Sequence, residues 1–146
     1  MQELDLLSEM TLYVLLFLFG AITLLLLWFQ INVYKGKAMD NPDGSVDDWH
    51  EQKILYGMSF ADIVIIFPAT FIGIALILID SHWGFYILGM ISFWHVWANT
   101  AFTISSLRFE EPEITFTWIL VYPFGILLGL FYLIWLFIHF DRVFFP

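Results

Sequence analysis

One carboxylic acid and one histidine stand within long apolar stretches of this sequence. Asp62 lies in the segment SFADIVIIF, and His95 lies in SFWHVWANT. A charged side chain at the centre of a membrane helix costs about 2.5 to 3.5 kcal/mol on insertion scales, so such residues often carry protons or bind ions or cofactors. Neutral, hydrogen-bonded side chains would instead only stabilise the contacts between helices. The residue types alone leave both interpretations open.

Helical spacing predicts that other polar residues share an interior with this pair. Asn99 and Thr103 follow His95 at steps of four, and Tyr122 lies at a similar depth in the last apolar run. If these side chains are neutral and only join helices, Asp62 would bond to Asn99 or Tyr122, and His95 would bond to a hydroxyl group. The predicted buried polar cluster consists of Asp62, His95, Asn99, Thr103 and Tyr122.

Small residues spaced four apart predict where helices pack closely. Ala69 and Gly73 form one such pair, and Gly125 and Gly129 form another. A missing or small side chain lets two helix backbones approach each other in a membrane. We therefore expect these four residues to lie at helix contacts.

Metal binding has a separate set of candidates. Asp47 and His50 are three residues apart with Glu51 beside them, a spacing that can hold a divalent ion. Acidic residues in the first turn of a helix are also ordinary capping groups. His82 and His139 lie near the opposite surface, where we expect them to be solvated.

The sequence lacks the known motifs that would identify a bound cofactor. The sequence contains no Walker loop, Rossmann fingerprint, HExxH or nucleophile elbow, so no nucleotide cofactor is expected. A metal ion, a haem or a quinone headgroup stays open. Because only His95 lies deep in an apolar run, a haem held by two histidines within the bilayer would need its second ligand from a partner chain.

The elements that must position these residues are four apolar runs. The chain is 61% hydrophobic and 13% charged, against about 25% charged in soluble domains. The runs cover residues 10–34, 56–79, 83–107 and 114–139. At about 1.5 Å per residue, each can cross the roughly 30 Å of hydrocarbon. The sequence predicts an all-α membrane protein, with residues 1–146 forming one four-transmembrane-helix bundle with antiparallel neighbours.

The connections refine this architecture. The polar loop 35–55 ends in a capping pattern that starts the second helix near Val46, so this helix should extend beyond the membrane at its N-terminal end. The short turn at residues 80–82 predicts a tight hairpin. Kinks are expected at the pairs Phe67-Pro68 and Tyr122-Pro123.

Charge distribution predicts the orientation. The loops after the first and third runs carry Lys35, Lys37, Lys53 and Arg108, whereas the opposite side carries only Arg142. Since basic loops stay on the cytoplasmic side, both termini of this multi-pass protein are predicted on the non-cytoplasmic side. A net charge of −9 argues against a nucleic acid partner.

The expected function is that of a small integral membrane subunit, or homo-oligomeric module, that structurally supports a membrane complex. Its partners would be the lipid bilayer and other membrane subunits or copies of itself. The alternative is a proton- or ion-handling or redox cofactor-binding module that uses the Asp62 and His95 cluster. No motif indicates that the chain is an enzyme on its own.

Overall fold

The computed structural model describes residues 4–36, 49–109 and 113–145. These residues form helices joined by short turns, with no strand among them, which confirms the all-helical prediction. The elements are α1 (Leu6–Tyr34), α2 (Trp49–Ala61), a π-helical turn (Asp62–Ile66), α3 (Phe67–Leu78), α4 (His82–Phe109), α5 (Phe116–Val121), α6 (Pro123–Ile138) and α7 (Phe140–Phe144).

Three segments among the described residues are long and apolar enough to cross a membrane. They are Leu6–Tyr34, Tyr56–Leu78 and Phe116–Ile138, which supports a multi-pass membrane protein. Helix α4 has 28 residues and is therefore about 42 Å long at 1.5 Å per residue. This length would suffice to cross the bilayer. However, α4 is less apolar than the three segments above, because it carries the polar stripe around His95.

Both aromatic-proline pairs lie where a helix is irregular. Just before Pro68, the N–H of Phe67 donates to the carbonyl of Asp62, five residues back, which closes the π-helical turn. Tyr122 has φ −98° and ψ −79° and separates α5 from α6, which begins at Pro123. Proline lacks an N–H, and its ring crowds the carbonyl group four residues before it, which accounts for the distorted backbone at Tyr122.

The turn between α3 and α4 reverses the chain in three residues. The N–H of Ser81 donates to the Leu76 carbonyl at 2.8 Å, and the N–H of Asp80 donates to the Ile77 carbonyl at 3.0 Å. This is a Schellman motif, in which the residue after the C-cap adopts the left-handed conformation. Asp80 takes that position with φ 59°, where glycine is the usual residue.

Glycines bring α4 into backbone contact with its neighbours. A Cβ atom on Gly84 would lie 2.6 Å from the carbonyl oxygen of Gly73 on α3, and one on Gly129 of α6 would lie 2.6 Å from the carbonyl oxygen of Ser92. Near the other end of α4, a Cβ on Gly125 would lie 2.5 Å from the Asn99 side chain. Helix α4 is therefore held between α3 and α6.

Aromatic side chains fill the space where α1 joins these helices. Phe19, Phe85 and Tyr132 are fully buried, and the ring of Phe85 stacks on Trp135 with centroids 6.1 Å apart. Ala69 is half-buried against this core. The core therefore lies at the meeting point of α1, α3, α4 and α6.

Replacement of Gly84 by alanine tests this packing. The added methyl group would meet the backbone of α3, which cannot move aside like a side chain, so Gly84→Ala should lower the free energy of unfolding by about 1 to 3 kcal/mol. Gly57 is the matched control because, among the described residues, a Cβ there meets nothing within 4 Å beyond its chain neighbours and its own helix backbone. Thermal unfolding of the purified protein in detergent measures both. Equal melting temperatures for the two variants would contradict the close approach.

Candidate functional site

Asp62 is buried and held by an amide from α1. The Nε2 atom of Gln30 donates to Oδ2 of Asp62 at 2.9 Å, and the hydroxyl of Ser59 donates to Oε1 of Gln30 at 2.6 Å. The exposed fraction of Asp62 is 6% and that of Ser59 is 1%. Gln30 thus uses both the NH2 group and the carbonyl oxygen of its amide. The three side chains connect α1 to the region where α2 meets the π-helical turn.

The π-helical turn places Asp62 beside a groove on the surface of the bundle. The groove is half-open and has a volume of about 260 Å³. Apolar side chains line most of it, and Trp94 of α4 borders it together with Asp62. Helix π-turns occur frequently at functional sites because the additional residue reorients neighbouring side chains. The groove is slightly smaller than typical ligand pockets, which are roughly 300 to 1,000 Å³.

His95 lies in the core rather than in this groove. Its exposed fraction is 2%, and its ring packs edge-on against Phe19 with centroids 5.7 Å apart. The Nδ2 atom of Asn99 donates to the His95 carbonyl at 2.9 Å and also lies 3.5 Å from Nδ1 of the ring. Asn99 therefore orients His95 from within α4.

The remaining predicted residues have different surroundings. The Thr103 side chain is buried, and its hydroxyl has no hydrogen-bond partner among the described residues. Tyr122 is half-buried and its ring lies 5.4 Å from that of Trp118. Trp118 in turn donates from Nε1 to the hydroxyl of Ser106 at 3.2 Å, which links α5 to α4.

Three further hydroxyl groups in the interior have no partner among the described residues. They belong to Thr23 on α1, Ser92 on α4 and Tyr132 on α6. Tyr132 packs edge-on against Phe19, the same ring that contacts His95. Buried hydroxyl groups normally have a hydrogen-bond partner. In the interior that contains His95, these hydroxyl groups instead leave donors and acceptors unused.

The observed partner of Asp62 is neither of the two considered for a neutral acid that only joins helices. Asn99 bonds to His95, and Gln30 bonds to Asp62 in place of Asn99 or Tyr122. No hydrogen bond between Asp62 and His95 is found in the part of the chain that the structure describes. Trp94 lies between the two regions, since it borders the groove and its ring is 5.4 Å from the His95 ring.

The predicted metal residues cannot be compared with the structure. Asp47 lies outside the described residues, as do the side chains of His50 and Glu51. Within residues 4–36, 49–109 and 113–145, no group of three potential ligand side chains is close enough to hold a metal ion. The site at residues 47–51 stays a prediction.

A second polar group lies at the end of the bundle where α1 begins. His139 was expected to be solvated, but its exposed fraction is only 9%. Its Nε2 atom lies 2.9 Å from the hydroxyl of Ser8, and its Nδ1 atom lies 2.8 Å from the Trp135 carbonyl. Ser8 also donates to Asp5, the N-cap of α1. His82 likewise has a partner, since its Nδ1 atom bonds to the Val143 carbonyl.

Sequence analysis missed Gln30 and Ser8. Gln30 is an amide within the apolar run LLLLWFQINVY, and the argument applied to Asp62 would have drawn attention to it. Ser8 had a weaker signal, because a serine three residues after an aspartate at a helix start normally serves only as part of a cap. Its contact with residue 139 depends on the tertiary fold.

Comparison of the chain with protein-family models, with curated proteins and with solved structures finds no match.

Replacement of Gln30 by leucine tests the role of the amide. The substitution keeps the side-chain size but removes the donor to Asp62 and the acceptor for Ser59, so unfolding should become easier by about 1 to 3 kcal/mol. Asn32→Leu is the control, because within the described residues that amide bonds only to the Trp28 carbonyl of its own helix, at 3.1 Å. Unfolding in mixed micelles measures both variants. A smaller loss for Gln30→Leu than for Asn32→Leu would count against the assignment.

Proposed function

We propose that this chain is a small integral membrane subunit, or homo-oligomeric module, that structurally supports a membrane complex. The proposal rests on the hydrogen bonds around Asp62, the one acid within the four apolar runs of the sequence. Gln30 and Ser59 bind Asp62 into a contact between helices. A carboxyl group engaged in this way stabilises the arrangement of helices, which is what a supporting subunit requires.

The outward face of α4 supplies a surface on which such a subunit could pack. Met90, Phe93, Trp97 and Ile104 follow one another at helical spacing, with exposed fractions between 61% and 75%. We call these four residues the outer α4 stripe. Large aromatic side chains contribute much of the energy of protein interfaces. The stripe lies on α4 opposite the stripe that contains His95, so a partner could bind there without disturbing the core.

We further propose four antiparallel spans, with α4 as the third and both termini on the non-cytoplasmic side. The contact pairs support this order, because Gly73 meets Leu88 while Ile77 meets Gly84. Burial of the polar face of α4 between α3 and α6 offsets its lower apolarity, since large apolar side chains such as those of the outer α4 stripe would face lipid. The lysines of the first loop support the orientation.

Single-cysteine variants test the number of spans. The chain contains no cysteine, so each introduced thiol reports its own position. Asp80→Cys and Glu113→Cys should react with a membrane-impermeant maleimide from opposite sides of sealed vesicles, because α4 lies between them. Lys35→Cys should react from the same side as Glu113→Cys, and Phe145→Cys from the same side as Asp80→Cys. Labelling of positions 80 and 113 from one side would exclude α4 as a span.

A second candidate function is proton or ion handling, or redox cofactor binding, at the buried polar cluster. The unused hydroxyl groups of Thr23, Ser92, Thr103 and Tyr132 favour it, because these groups lie in the same interior as His95. Hydroxyl groups can accept and donate a proton or bind an ion when they are shielded from bulk water. This function needs Asp62 or His95 to change its protonation or its ligand during activity.

Two substitutions distinguish the candidates. Removal of two aromatic anchors by Phe93→Ala with Trp97→Ala should dissociate the assembly purified in mild detergent, since loss of such anchors costs roughly 2 kcal/mol or more. Light scattering should show a mass above the 17.2 kDa of one chain for the parent protein and a shift towards that mass for the variant. Phe137→Ala, on the outer face of α6 with 76% exposure, serves as the control.

The outcome for Asp62→Asn completes this comparison. Because asparagine can still accept the hydrogen bond from Gln30, the assembly should survive and liposomes should show unchanged proton and ion flux. A flux in the parent protein that Asp62→Asn abolishes would favour the second candidate. A parent protein of one-chain mass in lipid nanodiscs would refute the supporting-subunit proposal.

A further inference from the structure

We propose that the groove beside Asp62 binds a lipid-soluble organic cation, namely a primary ammonium group that carries an apolar substituent. The ammonium group bonds to Oδ1 of Asp62, and the substituent lies along the apolar wall of the groove. This binding site goes beyond structural support of a complex. The groove and its carboxyl group both belong to a single chain.

One carboxylate oxygen of Asp62 is engaged within the helix bundle and the other is not. Oδ2 accepts the hydrogen bond from Gln30 at 2.9 Å. No donor to Oδ1 is found in the described part of the chain, although Asp62 is only 6% exposed. Oδ1 is not among the unpaired side-chain atoms that the protein shields completely. Because Asp62 borders the groove, the unpaired oxygen is accessible from there.

The carboxyl group of Asp62 also lacks a compensating positive charge. No ion pair of Asp62 is found among the described residues, and the Gln30 amide supplies only a dipole. An ionised carboxylate that is shielded from water requires a cation or several hydrogen-bond donors. Within the described ranges, no Lys or Arg lines the groove. A cationic ligand therefore complements the groove in charge.

The π-helical turn leaves a second acceptor unpaired next to Asp62. In an α-helix the carbonyl of Ile63 would accept from the N–H of Phe67, but that N–H donates to the carbonyl of Asp62. The donor five residues after Ile63 would be Pro68, which has no N–H. The Ile63 carbonyl therefore has no donor from its own helix. This turn is thus richer in acceptors than in donors, which favours a ligand that donates hydrogen bonds.

The walls of the groove favour an organic cation over a metal ion. Its apolar part is formed by Met58, Ala61, Ile65 and Ile66, and Trp94 of α4 borders it. Ca²⁺ and Mg²⁺ take about six oxygen ligands or more, whereas Asp62 is the only described lining residue with a side-chain oxygen. Aliphatic walls instead match an apolar substituent, and an indole ring attracts cations.

The position of the groove determines which organic cations can reach it. Asp62 lies in the apolar segment Tyr56–Leu78, about 9 Å from its first residue at 1.5 Å per residue. Ile65, on the groove wall, is 60% exposed. The ligand therefore enters from the bilayer and must be soluble in lipid. A phospholipid ammonium group would bring a phosphate for which the described lining offers no basic side chain, so a free amine fits better.

Fluorine NMR with the probe para-(trifluoromethyl)benzylamine tests the proposal. This amine is a cation at pH 7 and its ring is apolar. We expect saturable binding to the full chain in phosphatidylcholine nanodiscs, after subtraction of the signal from empty nanodiscs. The alcohol of the same shape, para-(trifluoromethyl)benzyl alcohol, should bind about tenfold more weakly or worse, because it has no charge to pair with the carboxylate. Equal affinity for the amine and the alcohol would overturn the proposal.

Two substitutions locate the bound probe. Asp62→Asn keeps an acceptor for Gln30 but removes the negative charge, so the affinity for the amine should fall about tenfold or more. Ala61→Leu keeps the charge but adds bulk to the groove wall, so the affinity should fall about fivefold or more. Circular dichroism verifies that the variants stay helical, and Ala61→Leu decides the test if Asp62→Asn does not fold. Unchanged affinity in a folded variant would place the probe elsewhere.

Glu113→Gln is the matched control for Asp62→Asn. It removes the same charge at an exposed position, where solvent and salt screen it, so the affinity should change less than about twofold. An equal loss in both variants would show that the net charge of −9, rather than the groove, attracts the amine. Phosphatidylethanolamine added to the nanodiscs should not displace the probe. Displacement would assign the site to a lipid headgroup and overturn the choice of a free amine.

Discussion

A polar group within hydrocarbon has no water to bond with, so its partner must come from the protein itself. For the backbone, this constraint is met by helices, which form their hydrogen bonds internally. For side chains, it decides which helix faces meet. Gln30 faces the π-helical turn because Asp62 needs a donor, and Ser59 supplies the donor that the Gln30 carbonyl group needs. The interior is thus organised around pairs of polar groups as well as around apolar packing.

Close backbone contact is the second way in which the helices are joined. Gly73 and Gly84 bring α3 and α4 together, and Gly129 brings α6 against Ser92. This arrangement encloses the polar stripe of α4 and leaves the outer α4 stripe facing outward. A helix that is less apolar than its neighbours can therefore occupy the centre of the bundle. The same contacts leave the hydroxyl of Ser92 without a partner among the described residues.

The two ends of the bundle satisfy their polar groups by different chemistry. Near Asp62, a neutral amide mediates between a carboxyl group and a hydroxyl. Near His139, the imidazole at the end of α6 contacts the Ser8 hydroxyl and the Trp135 carbonyl, while Arg142 lies 3.6 Å from Asp5 at the surface. Polar side chains therefore join α1 to the rest of the bundle near both of its ends.

Local patterns in the sequence determined the helices, the apolar runs and the inward direction of the stripe around His95, because each follows from periodicity and burial along one segment. The partners of these residues were decided only by the tertiary structure. Asp62, the first residue of the π-helical turn, bonds to Gln30 of α1 rather than to Asn99 of α4. His139 is buried because α6 ends beside Ser8, 131 residues away in the chain. Such pairings depend on how helices rotate and approach each other, which periodicity within a single helix does not specify.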